Sequence, residues 1–95
     1  MAGSFDWYES KARKNRSKHG VSFEEAITVF EDPQALFHKD DEHSISEDRW
    51  HVLGLSEKGR LLLVVSVERV EGSTRVVSAR KATLHEMQDY VQTNR

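Results

Sequence analysis

A chain of 95 residues with 37% apolar and 32% charged side chains has material for one small domain, residues 1–95. Its core should be thin, one sheet covered mainly on one face. With no cysteine it can form neither disulfides nor thiolate zinc sites, and with no apolar run near the length of a membrane span it reads as a soluble cytoplasmic domain without membrane contact. The net charge of −2 conceals a segregation: residues 1–20 carry +3, residues 21–48 carry −8 and residues 49–95 carry +3. The two basic ends form an anion-binding surface if the fold brings them together, although solvated faces would account for the charge equally well.

Phe5 and Trp7 alternate within residues 4–8, a short first edge strand. Residues 9–19 are helix formers closed by Gly20, a left-handed stop. This helix is unusually polar. Its best stripe is Tyr8, Ala12, Asn15 and His19, and a helix in water needs a buried face, so Asn15 and His19 should point inward or toward a ligand. A second helix opens on a capping box, Ser22 with Glu25, and aligns Phe23, Ala26, Ile27 and Phe30 on one side. Asp32-Pro33 ends it. Residues 35–37 make a short strand leading into an acidic loop, 39–48.

Residues 49–55 alternate, with Trp50, Val52 and Gly54 on one side and Arg49, His51, Leu53 and Leu55 on the other. Beyond a turn at 57–59, residues 61–67 are apolar enough for a central strand buried on both faces. A last strand follows the turn at 71–73; strict alternation there groups Arg75 with Val77 and Ala79, and Arg80 with Val76 and Ser78. Thr83 with Glu86 is a second capping box, opening a helix whose apolar face is Leu84, Met87, Tyr90 and Val91. The expected fold class is therefore α+β: a small antiparallel β-sheet in the order β-α-α-β-β-β-β-α with helices packed on it.

Several chemistries are absent from the sequence: no Gly-rich phosphate loop, no His-Glu-x-x-His helix and no Gly-x-Ser-x-Gly elbow. His38 and His43 share a loop with Asp40, Asp41 and Glu42, for which solvation is a simpler reading than a weak divalent-ion site. No metal or cofactor is expected. What remains is a set of cations on rigid elements: Arg49, Arg75, Arg80 and Lys81. A guanidinium on a sheet is costly unless it is paired or holds an anion. Singly, each is best explained by an ion pair, with Glu47, Glu68 or Glu86 available. Together they suit a phosphate clamp.

Four blocks carry a resemblance. Lys18-His19-Gly20-Val21-Ser22-Phe23-Glu24-Glu25-Ala26, Phe30-Glu31-Asp32-Pro33, Glu47-Asp48-Arg49 and Val77-Ser78-Ala79-Arg80-Lys81-Ala82, with Glu86 and Tyr90 after them, stand in the order and spacing of the BrnT family, which this chain resembles from Phe5 to Tyr90. The resemblance implies a RelE-like fold and a ribonuclease toxin that stops translation. It further implies a BrnA-like antitoxin with a ribbon-helix-helix domain, joined in a two-plus-two complex that binds operator DNA.

Metal-independent RNA cleavage by the ribose 2′-hydroxyl needs a base, an acid and cations for the developing charge. On that mechanism Arg80 and Arg49 hold the phosphate and Arg75 is a third cation. His19 is the favoured proton carrier, because imidazole exchanges protons near neutrality. Glu47 is a reserve for the proton transfers, and Lys18, Lys81 and Tyr90 would contact the RNA. Lys18 and His19 also fit a simpler role at the C-terminal end of a helix dipole. The acids before Arg49 would repel RNA if they bordered the same face. Two alternatives remain: a non-catalytic module binding a partner or nucleic acid, and a gyrase-poisoning toxin of the ParE type.

Overall fold

The computed structural model describes residues 4–95. Its elements run β1 (Phe5–Asp6), α1 (Glu9–His19), α2 (Phe23–Thr28) with a 3-10 turn (Val29–Glu31), β2 (Leu36–Lys39), a 3-10 turn (Asp41–His43), β3 (Asp48–Leu55), β4 (Leu61–Glu68), β5 (Thr74–Lys81) and α3 (Leu84–Thr93). The five strands form one sheet in the order β1-β5-β4-β3-β2. Strands β2 to β5 are an antiparallel meander, as short connections require. β1 adds a two-residue parallel edge beside Thr74 and Arg75, which makes this α+β sheet mixed.

One face of the sheet is covered. Val52, Leu62, Val64, Val76 and Ala79 meet Val21, Phe23, Ala26 and Val29, all essentially without exposure. Each large side chain sealed this way contributes about 1.5–3 kcal/mol. Gly54 is required where β3 passes beneath the helical layer, since a Cβ there would lie 2.9 Å from Val29 Cγ1 and 3.0 Å from Ala35 Cβ. β4 departs from the expectation of burial on both faces. Leu62, Val64 and Ser66 are buried, whereas Leu61, Leu63 and Val65 are only half-buried, because α3 reaches just one end of the second face.

Ser22 caps α2 by accepting the Glu25 N–H at 3.1 Å, but the reciprocal half of the expected capping box is missing. The Glu25 side chain turns inward instead and is 1% exposed. It accepts from Ser56 Oγ at 2.7 Å and from Arg60 Nε at 2.9 Å, and its other oxygen pairs with the Arg60 terminal nitrogen. The Arg60 hydrogen bonds hold this carboxyl below the usual range against the upward pull of burial, and the Ser56 hydroxyl helps. Arg60 also donates to Gly20 O at 3.2 Å, so one buried ion pair fastens α2, the end of α1 and the β3–β4 turn together.

Asn15 does point inward and is the one buried residue of α1. Its Nδ2 donates to Val21 O at 2.9 Å and to Ala79 O at 2.8 Å, while its Oδ1 accepts the Ala79 N–H at 3.0 Å. The amide thus supplies β5 with the donor and acceptor that a neighbouring strand would supply, where two-residue β1 has already ended. α1 then stops at Gly20, whose φ of 69° is left-handed and whose N–H returns to Arg16 O.

α3 has its complete capping box, Thr83 with Glu86. Of its expected apolar face only Tyr90 is buried; Leu84, Met87 and Val91 are exposed. The helix is held by polar contacts: Tyr90 donates to Asp32 Oδ2 at 2.6 Å and Asn94 Nδ2 to Gln34 O at 3.1 Å. Among the described residues no helix is long and apolar enough to cross a membrane.

Candidate functional site

The second sheet face is open over much of its area, and a β-bulge decides what it carries. Val65 pairs with Ser78 but Ser66 pairs with Val76, so Val77 is an extra residue in β5. Strict alternation would put Arg75 and Arg80 on opposite faces. The bulge shifts the phase, so Arg75 (beside Val67), Ser78 (beside Val65) and Arg80 (beside Leu63) all stand on the open face, and Val76 and Ala79 both enter the core. The sequence-based grouping fails at this inserted residue. β3 contributes Arg49, His51 and Leu53 to the same face, as its alternation predicts.

The arginines differ in how far they are committed. Arg49 has no ion pair among the described residues, and its Nε is buried without a hydrogen-bond partner. It is opposite Val67, which is opposite Arg75, placing the two arginines two strand spacings apart, roughly 10 Å. Arg75 is gripped by the N-terminal segment: its guanidinium lies 4.4 Å from the Tyr8 ring centroid, donates to Tyr8 Oη at 2.9 Å and approaches Asp6 at 3.6 Å. Arg80 forms a bidentate pair with Glu86, both bonds 2.9 Å. The Glu86 hydrogen bonds raise Arg80 above its ordinary value, and the Arg80 bonds lower Glu86 in turn. Lys81 is exposed at the end of β5 and pairs in register with Leu62, which assigns it to the other face.

Lys18 and His19 line a groove between α1 and β5, together with Lys11, Lys14, Asn15, Val77 and Ser78. Lys11, Lys14 and Lys18 fall at helical spacing and are all exposed, so α1 turns a basic edge toward the margin of the open face. Lys11 and Lys14 are missed by motif reasoning; their spacing relative to inward-pointing Asn15 was the available signal. Glu47 lies elsewhere, in a trough with Asp48, Glu68 and Glu71. Asp48 and Glu68 pair in register on the covered side of the sheet, so those two do not share a face with Arg49, whereas Asp40 reaches His51 on the open side. Tyr90 is 8% exposed and its hydroxyl is engaged by Asp32; burial and that bond push it up to about 12. Its observed contacts are those of a packing residue holding α3.

Strand pairing also creates a histidine pair that no sequence spacing shows. His38 and His51 are direct cross-strand partners in β2 and β3. The open groove that they line also contains Leu53, Leu63, His85 and Glu86. His51 Nε2 lies 3.1 Å from Asp40 Oδ2, and His43 Nδ1 lies 2.9 Å from the same oxygen. Desolvation raises the Asp40 carboxyl, but the bonds to His43 and His51 outweigh it and leave the group below its ordinary range. A carboxylate fixed on one ring nitrogen orients the imidazole, an arrangement suited to proton transfer. Asp40, Glu42 and His43 also place ligand atoms within 4.8 Å of one another, but Asp40 already serves both imidazoles.

A solved structure described as the Brucella abortus ribonuclease toxin, BrnT, at 1.1 Å resolution, superposes with a TM-score of 0.65 and 21% identity, covering 86% of this chain and 99% of that one. This likeness bears on the fold. No curated protein matches the chain by sequence. The family model described as "Ribonuclease toxin, BrnT, of type II toxin-antitoxin system" matches residues 7–86, which spans strands β2 to β5, both N-terminal helices and the start of α3. The chain therefore belongs to the BrnT family of ribonuclease toxins of type II toxin–antitoxin systems.

Proposed function

We propose that this protein cleaves RNA on the open sheet face, without a metal ion, and thereby arrests translation and growth. The observation that carries the reading is Arg49: a guanidinium on a rigid strand with a desolvated, unpartnered Nε, facing the same side as Arg75 and Arg80. An unpaired guanidinium of this kind is stabilised by an arriving phosphate, which offsets its charge and accepts from its terminal nitrogens.

In the proposed step the ribose 2′-hydroxyl gives its proton to a base and its oxygen attacks the adjacent phosphorus. The bond from phosphorus to the 5′-oxygen breaks, and an acid returns a proton to that oxygen. The products end in a 2′,3′-cyclic phosphate and a 5′-hydroxyl. Arg49 holds the non-bridging oxygens, assisted by Arg75 and by Arg80 when Glu86 releases it. Charge on the reacting phosphate is met by guanidinium groups, the role a metal ion would otherwise fill. Lys18, with Lys11 and Lys14, tracks the flanking backbone along the α1 margin, whereas Lys81 stands on the other face. His19 is one proton carrier at the α1 margin. The Asp40 contact favours His51, two residues from Arg49 on the same strand face, as the other. Glu47 has no part in this step from its position in the acidic trough. Type II membership implies a protein antitoxin; we assign that role to a BrnA-like ribbon-helix-helix protein forming a two-plus-two, operator-binding complex.

The test is cleavage by the partner-free protein in excess EDTA, comparing wild type with His19→Ala, His51→Ala and the double variant. The reading expects cyclic-phosphate ends and a loss at His51 of about 10²–10⁴-fold, the usual contribution of a positioned acid or base. Intact RNA alongside DNA damage in expressing cells would instead favour gyrase poisoning.

A further inference from the structure

Four carboxylates and an apolar hollow lie together at the covered side of the sheet, where the helical layer stops short. Phe30, Phe37, Trp50 and Val52 line a hollow of about 270 Å³, with Ser66, Glu68 and Thr74 among its polar walls. Phe30 and Phe37 stand edge to face with centroids 6.0 Å apart, and Phe37 is half exposed. The hollow falls below the roughly 300–1,000 Å³ of small-molecule sites and suits a single apolar side chain.

Glu68 and Gly72 are shared between this hollow and the trough beside it. The trough runs between the loop before β3 and the β4–β5 turn, and its carboxylates are Glu47, Asp48, Glu68 and Glu71. Its cation, Arg69, is already bound by Asp6 and Glu71. Asp48 is paired with Lys39, whereas Glu47 and Glu68 have no ion pair among the described residues. Ile45 and Val70, both fully exposed, also line the trough. An apolar socket therefore opens into a negative channel with aliphatic rims.

We infer that this surface docks a segment of a partner protein that inserts one apolar side chain between Phe37 and Trp50 and lays lysines or arginines along Glu47, Glu68 and Glu71. Charge complementarity selects the occupant: phosphate-bearing RNA is repelled by these carboxylates, and an acidic peptide equally so. Because the type II family supplies a protein antitoxin, a basic stretch of that antitoxin fits the description. The socket lies across the sheet from Arg49, so its occupation leaves the open face uncovered. The inference consequently stands or falls separately from RNA cleavage.

The chain has two tryptophans, so Trp7→Phe leaves Trp50 as the sole indole reporter. The probes are a synthetic peptide with leucine flanked by lysines, the same peptide with glutamates, and a uridine oligoribonucleotide. The lysine peptide is expected to give a saturable change in Trp50 emission, weakened roughly tenfold by Glu68→Lys or Phe37→Ala and by added salt. The glutamate peptide should give none and the RNA should not compete. Competition by RNA, equal response to both peptides, or unchanged binding in folded Glu68→Lys and Phe37→Ala proteins would overturn the proposal, as would no response to the lysine peptide.

Discussion

Replacing Asn15 tests how the basic helix is held against the sheet. Its amide makes three bonds, to Val21 O and to both the N–H and C=O of Ala79, and it is 7% exposed while Ala79 is fully buried. Each bond is worth about 1 kcal/mol net, and a buried backbone group left dry costs about 1–3 kcal/mol. These terms overlap because water can re-enter beside α1, so Asn15→Ala should cost about 3–5 kcal/mol. The better helix propensity of alanine offsets only a few tenths. Asn15→Asp preserves shape and the acceptor toward Ala79 N–H, but sets a carboxylate oxygen against two carbonyl oxygens now 2.8 and 2.9 Å from the amide nitrogen. That aspartate should titrate above its unfolded value. Its folded protein is then favoured at low pH and loses stability as pH rises through the raised value. Urea melts at pH 7 and pH 5, with hydrogen exchange at the Ala79 amide, read both effects. A loss below about 1 kcal/mol in Asn15→Ala with Ala79 exchange unchanged would instead assign α1 docking to its apolar contacts.

Arg60→Ala should cost about 3 kcal/mol in a urea melt, because it strands the buried Glu25 carboxylate. Glu25 titrates below its ordinary value, so the pair's contribution is present above pH 4.5 and lost as pH falls through the folded value; Glu25→Gln should show a flatter acid profile. At the alkaline end Tyr90 is raised from 10.0 to about 12, so stability is full below pH 10 and lost as pH rises through 12. Tyr90→Phe should lack that loss in thermal melts at pH 9 and 12. Glu86→Gln releases Arg80 from its bidentate ionic partner and should tighten binding of an RNA oligomer severalfold in a filter assay at fixed salt, while glutamine still fits the helix cap. Weaker binding would show that the pair orients Arg80 for RNA.

The element order and the antiparallel meander were legible because period and turn residues speak locally. Two side chains misled for the same physical reason: a residue's letter does not reveal which of two partners it takes. Glu25 has the spacing of a capping glutamate, yet a distant arginine outbids the neighbouring backbone N–H. Arg80 occupies a clamp position but is met by Glu86 from the following helix, a pairing that the sequence offered as one option. The bulge at Val77 has no local signature. It arises from register with β4, and it alone puts Arg75 and Arg80 on one side. Arg49 kept its place because β3 alternates without interruption. The Asp40–His51 contact spans 11 residues and forms only when β2 pairs with β3, so no motif could show it. The polarity of α1 was informative: Asn15 on its best stripe correctly announced an inward-facing amide.

Metal-independent cleavage at Arg49 is tested most directly by incubating RNA with the purified protein, free of any partner, in excess EDTA, with Arg49→Ala measured beside it. Fragments ending in 2′,3′-cyclic phosphate are expected, with a loss of roughly 10²–10³-fold in rate for a folded Arg49→Ala protein, the cost of removing one well-placed charge-stabilising donor. RNA left intact by the wild type, or cut equally well by Arg49→Ala, would contradict that mechanism.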